Sequence, residues 1–203
     1  IVIGNHHNKY GGGNPLIQYL TKRFLAALDE LLDGVAAEGP ITRVLEVGCG
    51  EGEIADRLRA RFPEATVTAL DLPDAGLRQD WQGRDHQVGF LHGDAHGLPF
   101  ADNTFDLVLA VEVCEHLTDP DAGVKEMARV SGRHLVLSVP REPLFRMGNF
   151  FTGRHVKDFG NTPGHLNHWG SPAFLRFVSQ VGAVADIRQP LPWTALRARV
   201  DAI

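Results

Sequence analysis

The sequence predicts an α/β protein built on a doubly wound sheet, and three observations carry that prediction. Short, nearly continuous apolar runs recur between residues 41 and 139, and helical segments separate most of them. Strands of that kind are buried on both faces, as in a parallel sheet covered by helices. Right-handed crossovers then place helices on both sides of it. Third, the first run passes into a helical segment through Gly48-Cys49-Gly50-Glu51-Gly52, a glycine-rich turn.

The elements follow in order. Gly11, Gly12 and Gly13 precede Asn14-Pro15, which offers an N-cap and a proline at the first helical position. Leu16, Leu20, Phe24, Leu28 and Leu32 then recur every four residues, with Ile17, Leu25 and Leu31 beside them. That is one apolar helix face, expected to end before Gly34. Gly39-Pro40 breaks the chain. Strands are expected at 41–47, 65–70, 88–91, 105–111 and 134–139, and helices at 51–61, 74–81 and 119–130. Residues 141–169 have no clean period and carry Phe145, Phe150, Phe151, Phe159 and Trp169. A helix follows, with Ser171 as N-cap and Pro172 at its first position. Two short strands, 183–187 and 194–200, turn at Pro190-Leu191-Pro192. Without repeat or linker, 1–203 reads as one domain. Residues 1–40 form a cover and helix, 41–140 the ligand-binding core, 141–169 an insert, and 170–203 the closing helix and strands.

Composition removes several classes. Of the 203 residues, 43% are hydrophobic and 22% charged, which excludes a disordered chain. No apolar run approaches a membrane span. A net charge of −5 argues against broad nucleic-acid binding. Two cysteines, Cys49 and Cys114, are too few for a disulfide framework or a thiolate zinc site, so a reducing cytoplasm is expected.

The turn is the most informative stretch. Glycine lets the backbone bend sharply and approach a ligand, and the helix start offers unpaired N–H groups. Dinucleotide-binding dehydrogenases favour G-x-G-x-x-G, whereas here Glu46 begins E-x-G-x-G-x-G. A carboxylate at that point repels a pyrophosphate and supports a cationic ligand. The second strand ends at Asp71, at the distance expected of a ribose-binding acid. Its bland alternative is a surface residue opening a turn before Pro73. Asp94 follows the third strand at the same edge and can accept a hydrogen bond from an exocyclic amine.

Val44 to Gly52, Asp71, Asp94, and Leu98-Pro99-Phe100 with Phe105-Asp106-Leu107-Val108 together resemble class I S-adenosylmethionine-dependent methyltransferases. The resemblance covers 41–140 and is strongest to the small-molecule branch that includes the ubiquinone and menaquinone biosynthesis enzymes. It implies a Rossmann-like seven-stranded sheet, mostly parallel, with an antiparallel last strand. It implies that Gly48, Gly50 and Gly52 face the methionine part of S-adenosylmethionine, Asp71 the ribose, and Asp94 with Ala95 the adenine. Glu46, Cys49, Leu72 and Val111 complete the expected contacts. A segment before the first strand, 6–14, would cover the cofactor, with Lys9 and Tyr10 as contacts.

Methyl transfer from a sulfonium is an in-line displacement, so the enzyme mainly aligns the reactants and excludes water. A base is needed only if the acceptor must lose a proton. Histidine suits that role near neutral pH. His116 after the fourth strand is the first candidate, then His165 and His168 in the insert; His155, His6 and His7 lie in the same two candidate regions. Each competes with an ordinary solvated loop histidine. Glu112, Glu115 and His116 stand at i, i+3 and i+4, and on a helical turn would share a face. That set suits a divalent ion, and a similar Glu-x-x-Glu-His run binds metal in small-RNA 2′-O-methyltransferases; the competing reading is a helix start with its own polar contacts.

Arg141, Arg146, Arg154 and Lys157 among the insert's aromatics suit a small-molecule acceptor that is aromatic, apolar or anionic. The same aromatics also fit the core of a lid helix, and Leu144, Phe145, Phe150 and Phe151 fit a peripheral bilayer contact. The expected function is S-adenosylmethionine-dependent methylation of a hydroxyl on a small-molecule or lipid-linked acceptor. The alternatives are a cofactor-binding module without catalysis and a metal-assisted O-methyltransferase. RNA methylation is disfavoured by the charge.

Overall fold

A computed structural model describes residues 15–84, 87–144, 162 and 164–200. The sheet grows outward from β1 (Arg43–Val47), whose residues Val44, Leu45 and Val47 are almost completely buried. It pairs in parallel with β2 (Thr66–Asp71) and with β4 (Phe105–Val111). β3 (Val88–His92) extends the sheet beyond β2, and β5 (Ser131–Pro140) beyond β4, again in parallel. β7 (Trp193–Arg199) inserts antiparallel between β5 and β6 (Ala183–Arg188), giving the order β3-β2-β1-β4-β5-β7-β6. The seven strands and the antiparallel last one match the expectation.

Alternation along the strands splits the core between two faces. Leu45, Val108 and Leu137 pack with Val124 and Met127 of α4 (Pro120–Val130) and with Phe174 and Val178 of α5 (Ser171–Val178). Val44, Leu107 and Val136 pack with Phe24, Leu28, Leu31 and Leu32 of α1 (Pro15–Ala36) and with Leu58 of α2 (Glu53–Arg61). Burying each such leucine contributes about 1.5–3 kcal/mol. α3 (Ala75–Gln82) flanks β3, where Trp81 stacks on Phe90 at 5.1 Å.

Several boundaries differ from expectation for local reasons. β1 starts at Arg43 because the N–H groups of Thr42 and Arg43 both donate to the Asp106 carboxylate, at 2.7 and 3.0 Å. α1 runs through Gly34 to Ala36. A Cβ at Gly34 would lie 3.2 Å from Arg197 Nε, so the glycine serves a close approach rather than a stop. The chain turns instead at Gly39, with φ of 126°. Ser171 is the first helical residue and not the cap; Gly170 caps, and Ser171 Oγ shares a 2.7 Å hydrogen bond with Thr194 Oγ1.

Candidate functional site

The parallel strands bring the ends of β1, β2, β3 and β4 to one edge of the sheet. There, the N–H groups of Gly48 and Cys49 both donate to Leu70 O, at 2.7 and 3.1 Å, locking the turn after β1 onto the end of β2. The three glycines of the turn differ in why they are glycine. All have left-handed φ, at 74°, 51° and 87° for Gly48, Gly50 and Gly52. A Cβ on Gly48 would meet Val113 Cγ2 at 2.3 Å, and one on Gly52 would meet the Phe90 ring at 2.8 Å. A Cβ on Gly50 would meet nothing within 4 Å, so this glycine faces open space.

Gly50 also ties the turn to its neighbours. Its N–H donates to Asp71 Oδ2 at 2.6 Å, and its carbonyl accepts from Trp81 Nε1 at 2.8 Å. Asp71 Oδ1 accepts the N–H of Leu72 at 2.7 Å, and Leu72 is 44% exposed beside it. Each carboxylate oxygen accepts more than one hydrogen bond, so Asp71 keeps capacity for ribose hydroxyls. Glu46 is buried at 2% exposure, and its Oε2 has no hydrogen bond among the described residues. Burial holds its carboxyl well above the usual carboxylate range, and the charges of Asp71 and Asp56 push the same way. A buried carboxyl with one unpartnered oxygen, next to a glycine turn that is open at Gly50, fits a ligand with a positive group, and S-adenosylmethionine is such a ligand. Cys49 is buried, which raises its thiol far above the ordinary range and leaves it a packing group. Val111 is buried at the end of β4.

The turn after β3 continues this edge. Asp94 O accepts from Gly97 N at 3.1 Å, and Ala95 between them is buried. The Asp94 carboxylate lies below its ordinary range, held chiefly by the backbone N–H of His96. Glu126 of α4 accepts the N–H of Leu98 at 3.0 Å, and Arg129 donates to the carbonyls of Leu98 and Phe100. Thus α4 fixes the far side of the turn.

Beyond β4 the side chains group differently from the expected set. Glu112 takes φ of 55° and donates its N–H to Ser138 O, while the helical turn begins only at Cys114 and spans Cys114–His116. Glu112 therefore does not share a helical face with Glu115 and His116, which corrects the i, i+3, i+4 reading. His165 joins instead: Glu115, His116 and His165 each bring a ligand atom within 4.8 Å of the others'. The two imidazole rings meet edge to face at 4.9 Å, and Glu115 is 1% exposed. His116 Nδ1 lies 2.9 Å from Gly164 O, which can only accept, so Nδ1 carries the proton and Nε2 is the basic nitrogen. Leu166 and Asn167 donate their N–H groups to Glu115 O, and Asn167 Nδ2 donates to Leu117 O at 2.6 Å and Cys114 O at 3.2 Å. His168 is exposed and lies outside this group. Glu142 N–H donates to Trp169 O at 2.9 Å, which pins together the two ends of the insert.

Expectations for Tyr10, Lys9, His6 and His7, and for Phe145, Arg146, Phe150, Phe151, Arg154, His155, Lys157 and Phe159, fall outside the described residues. Trp81, His96 and Asn167 were not anticipated. In the sequence Trp81 is only the last residue of an expected helix, and the other two act through contacts made on folding.

A methyltransferase domain family matches residues 45–134. Malonyl-acyl-carrier protein O-methyltransferase of Geobacter sulfurreducens is 31% identical over 192 residues, covering 77% of this chain and 72% of that protein. Fatty-acid O-methyltransferase of Mycolicibacterium smegmatis is 41% identical over 106 residues, covering 50% of this chain but only 38% of that protein. Among solved structures, magnesium protoporphyrin IX methyltransferase from Synechocystis, with S-adenosylhomocysteine bound, superimposes with a TM-score of 0.69 at 19% identity, covering 96% of this chain and 92% of that one.

Proposed function

Given that the chain belongs to the class I S-adenosylmethionine-dependent methyltransferases, we propose that it methylates a hydroxyl oxygen of a small-molecule or lipid-linked acceptor. The cofactor supplies a methyl group already activated on a positively charged sulfur. The rest of the work falls to the protein: Glu46 and the turn through Gly48, Cys49, Gly50 and Gly52 hold the methionine part. Asp71 with Leu72 holds the ribose, Asp94 with Ala95 the adenine, and Val111 closes the site; Tyr10 is kept as a candidate cofactor contact from the sequence. The observation that carries the hydroxyl assignment is the His116–His165 pair beside buried Glu115. His116 Nε2 takes the hydroxyl proton as the methyl transfers, and Glu115 favours the resulting positive imidazole. His165 flanks it, and His168 follows on the exposed side.

Acceptors are tested with radiolabelled S-adenosylmethionine against a panel of phenols, hydroxylated quinones, fatty acids and malonyl thioesters. With a phenol or hydroxylated quinone as the productive acceptor, His116→Ala lowers kcat by about 10²–10⁴-fold and leaves S-adenosylhomocysteine affinity intact; turnover only of the fatty acids or malonyl thioesters, whose carboxylates carry no proton to remove near neutral pH, rejects the hydroxyl assignment. Cofactor binding without turnover across the panel would instead support the non-catalytic module.

A second reading rests on the same grouping. Glu115, His116 and His165 also form a two-imidazole, one-carboxylate set for a divalent ion, which would acidify a bound hydroxyl. Turnover that survives chelation and is not raised by added Mn²⁺, Mg²⁺ or Zn²⁺ rejects it.

A peripheral bilayer contact for a lipid-linked acceptor is supported by exposed Leu144 and Leu166, at 40% and 53%, near the two ends of the insert. No helix among the described residues is long and apolar enough to cross a membrane. Absence of co-sedimentation with anionic liposomes rejects the contact. Cys49 and Cys114, both free and buried, suit a reducing compartment such as the cytoplasm, and 1–203 is taken as one catalytic domain.

A further inference from the structure

The turn after β3 contains a polar relay of which the cofactor contacts above use only Asp94. Asp94 Oδ1 accepts two hydrogen bonds from one residue, from His96 N at 2.9 Å and from His96 Nδ1 at 2.6 Å. On the other side of the ring, the N–H of Asp119 lies 3.3 Å from His96 Nε2. A main-chain N–H can only donate, so Nε2 is an acceptor and Nδ1 carries the proton. Asp119 is the N-cap of α4 and accepts from Ala122 N at 3.0 Å, so the ring is backed by a helix start. Among the described residues the hydrogen bonds to the Asp94 carboxylate all go to Oδ1. Two donors on one oxygen fix the rotation of the group and leave the acceptor capacity of Oδ2 for a ligand.

We propose that His96 is a specificity-determining residue of the cofactor site, holding Asp94 so that Oδ2 receives the exocyclic amine of adenine and a 6-oxo purine is rejected. The inference rests on the assignment of Asp94 to the adenine. A purine amine donates to the fixed carboxylate; a carbonyl oxygen in its place brings two acceptors together and repels. His96 positions Asp94 and acts through it.

The test compares calorimetric binding of S-adenosylhomocysteine with S-inosylhomocysteine, in which a carbonyl replaces the amine. The wild type favours the adenine ligand by about 10–100-fold, as a hydrogen bond to a charged group allows. His96→Ala shrinks that preference by about 3–10-fold, mostly through weaker binding of the adenine ligand. His96→Gln, which keeps a side-chain N–H, recovers part of the preference. Equal weakening of both ligands by His96→Ala, or no change in their ratio, overturns the proposal. Asp94→Ala separates the two layers of the argument. If it leaves the wild-type preference intact, the adenine assignment fails; if it abolishes the preference while His96→Ala leaves the ratio of the two affinities unchanged, only the role of His96 fails.

Discussion

The two halves of the proposed site are built in different ways. The proposed cofactor half follows from short stretches of chain. Gly50 meets Asp71 across 21 residues of sequence, and one β-turn-α passage supplies most of the rest. The proposed acceptor half is assembled across the insert: His116 meets Gly164 over 48 residues, and Asn167 reaches back over 50 to Leu117. The first half therefore stands on backbone conformation and parallel pairing. The second depends on the 164–169 segment docking onto the turn after β4. Changes in one half should leave the other largely intact.

The largest expected effect comes from Gly48→Ala. The added Cβ meets Val113 at 2.3 Å and the residue must hold a left-handed φ. Overpacking and conformational strain together cost about 2–5 kcal/mol, read as a lower urea midpoint and lost S-adenosylhomocysteine binding. Gly50→Ala sharpens the point: with no contact within 4 Å, only the backbone strain of about 1–2 kcal/mol opposes folding, and cofactor affinity falls more than stability does. Equal losses for the two variants would break the distinction between a packed glycine and one that faces a ligand.

Next in size is Asn167→Ala, which removes donors to two carbonyls of the His116 turn. Leaving those acceptors without their partner costs about 1–3 kcal/mol locally. Amide exchange at 114–117 and 164–167 should rise while S-adenosylhomocysteine affinity changes less than about twofold. A parallel loss of cofactor affinity would mean that the halves are coupled.

The smallest effect belongs to neither half. His134 on β5 is 2% exposed, and neither ring nitrogen has a hydrogen bond among the described residues. Burial lowers its proton affinity below the ordinary 6.5, and Arg133 adds to that. The unfolded chain then binds the proton first as pH falls below 6.5, so stability declines toward the folded value and levels off beneath it. The slope is at most about 1.4 kcal/mol per pH unit. Chemical denaturation at pH 7.5 and 5.5 reads it, and His134→Leu should flatten it. Lower still, Glu38 is held at about 2 by Arg199 and Arg197, so its stabilisation disappears as pH falls from 4.5 toward 2.

The same contrast explains what could be read from residues alone. The alternation of parallel strands with helices, the glycine turn, and the positions of Asp71 and Asp94 at the edge of the sheet are legible because pattern and geometry there are local. The i, i+3, i+4 set failed because Glu112 leaves the strand with a left-handed φ before the helical turn begins. His165 could be named as a candidate but not paired with His116, since no spacing encodes a contact made across an insert. The helix continuing through Gly34 was illegible for a related reason: its glycine answers to Arg197 on β7, a neighbour created by folding.

Calorimetry of S-adenosylhomocysteine binding to wild type, Asp71→Ala and His116→Ala tests the central claim most directly. The account predicts binding to wild type, a loss of about tenfold or more in Asp71→Ala, and an affinity close to wild type in His116→Ala. Undiminished binding to Asp71→Ala, or a wild type that binds NAD and not S-adenosylhomocysteine, would contradict it.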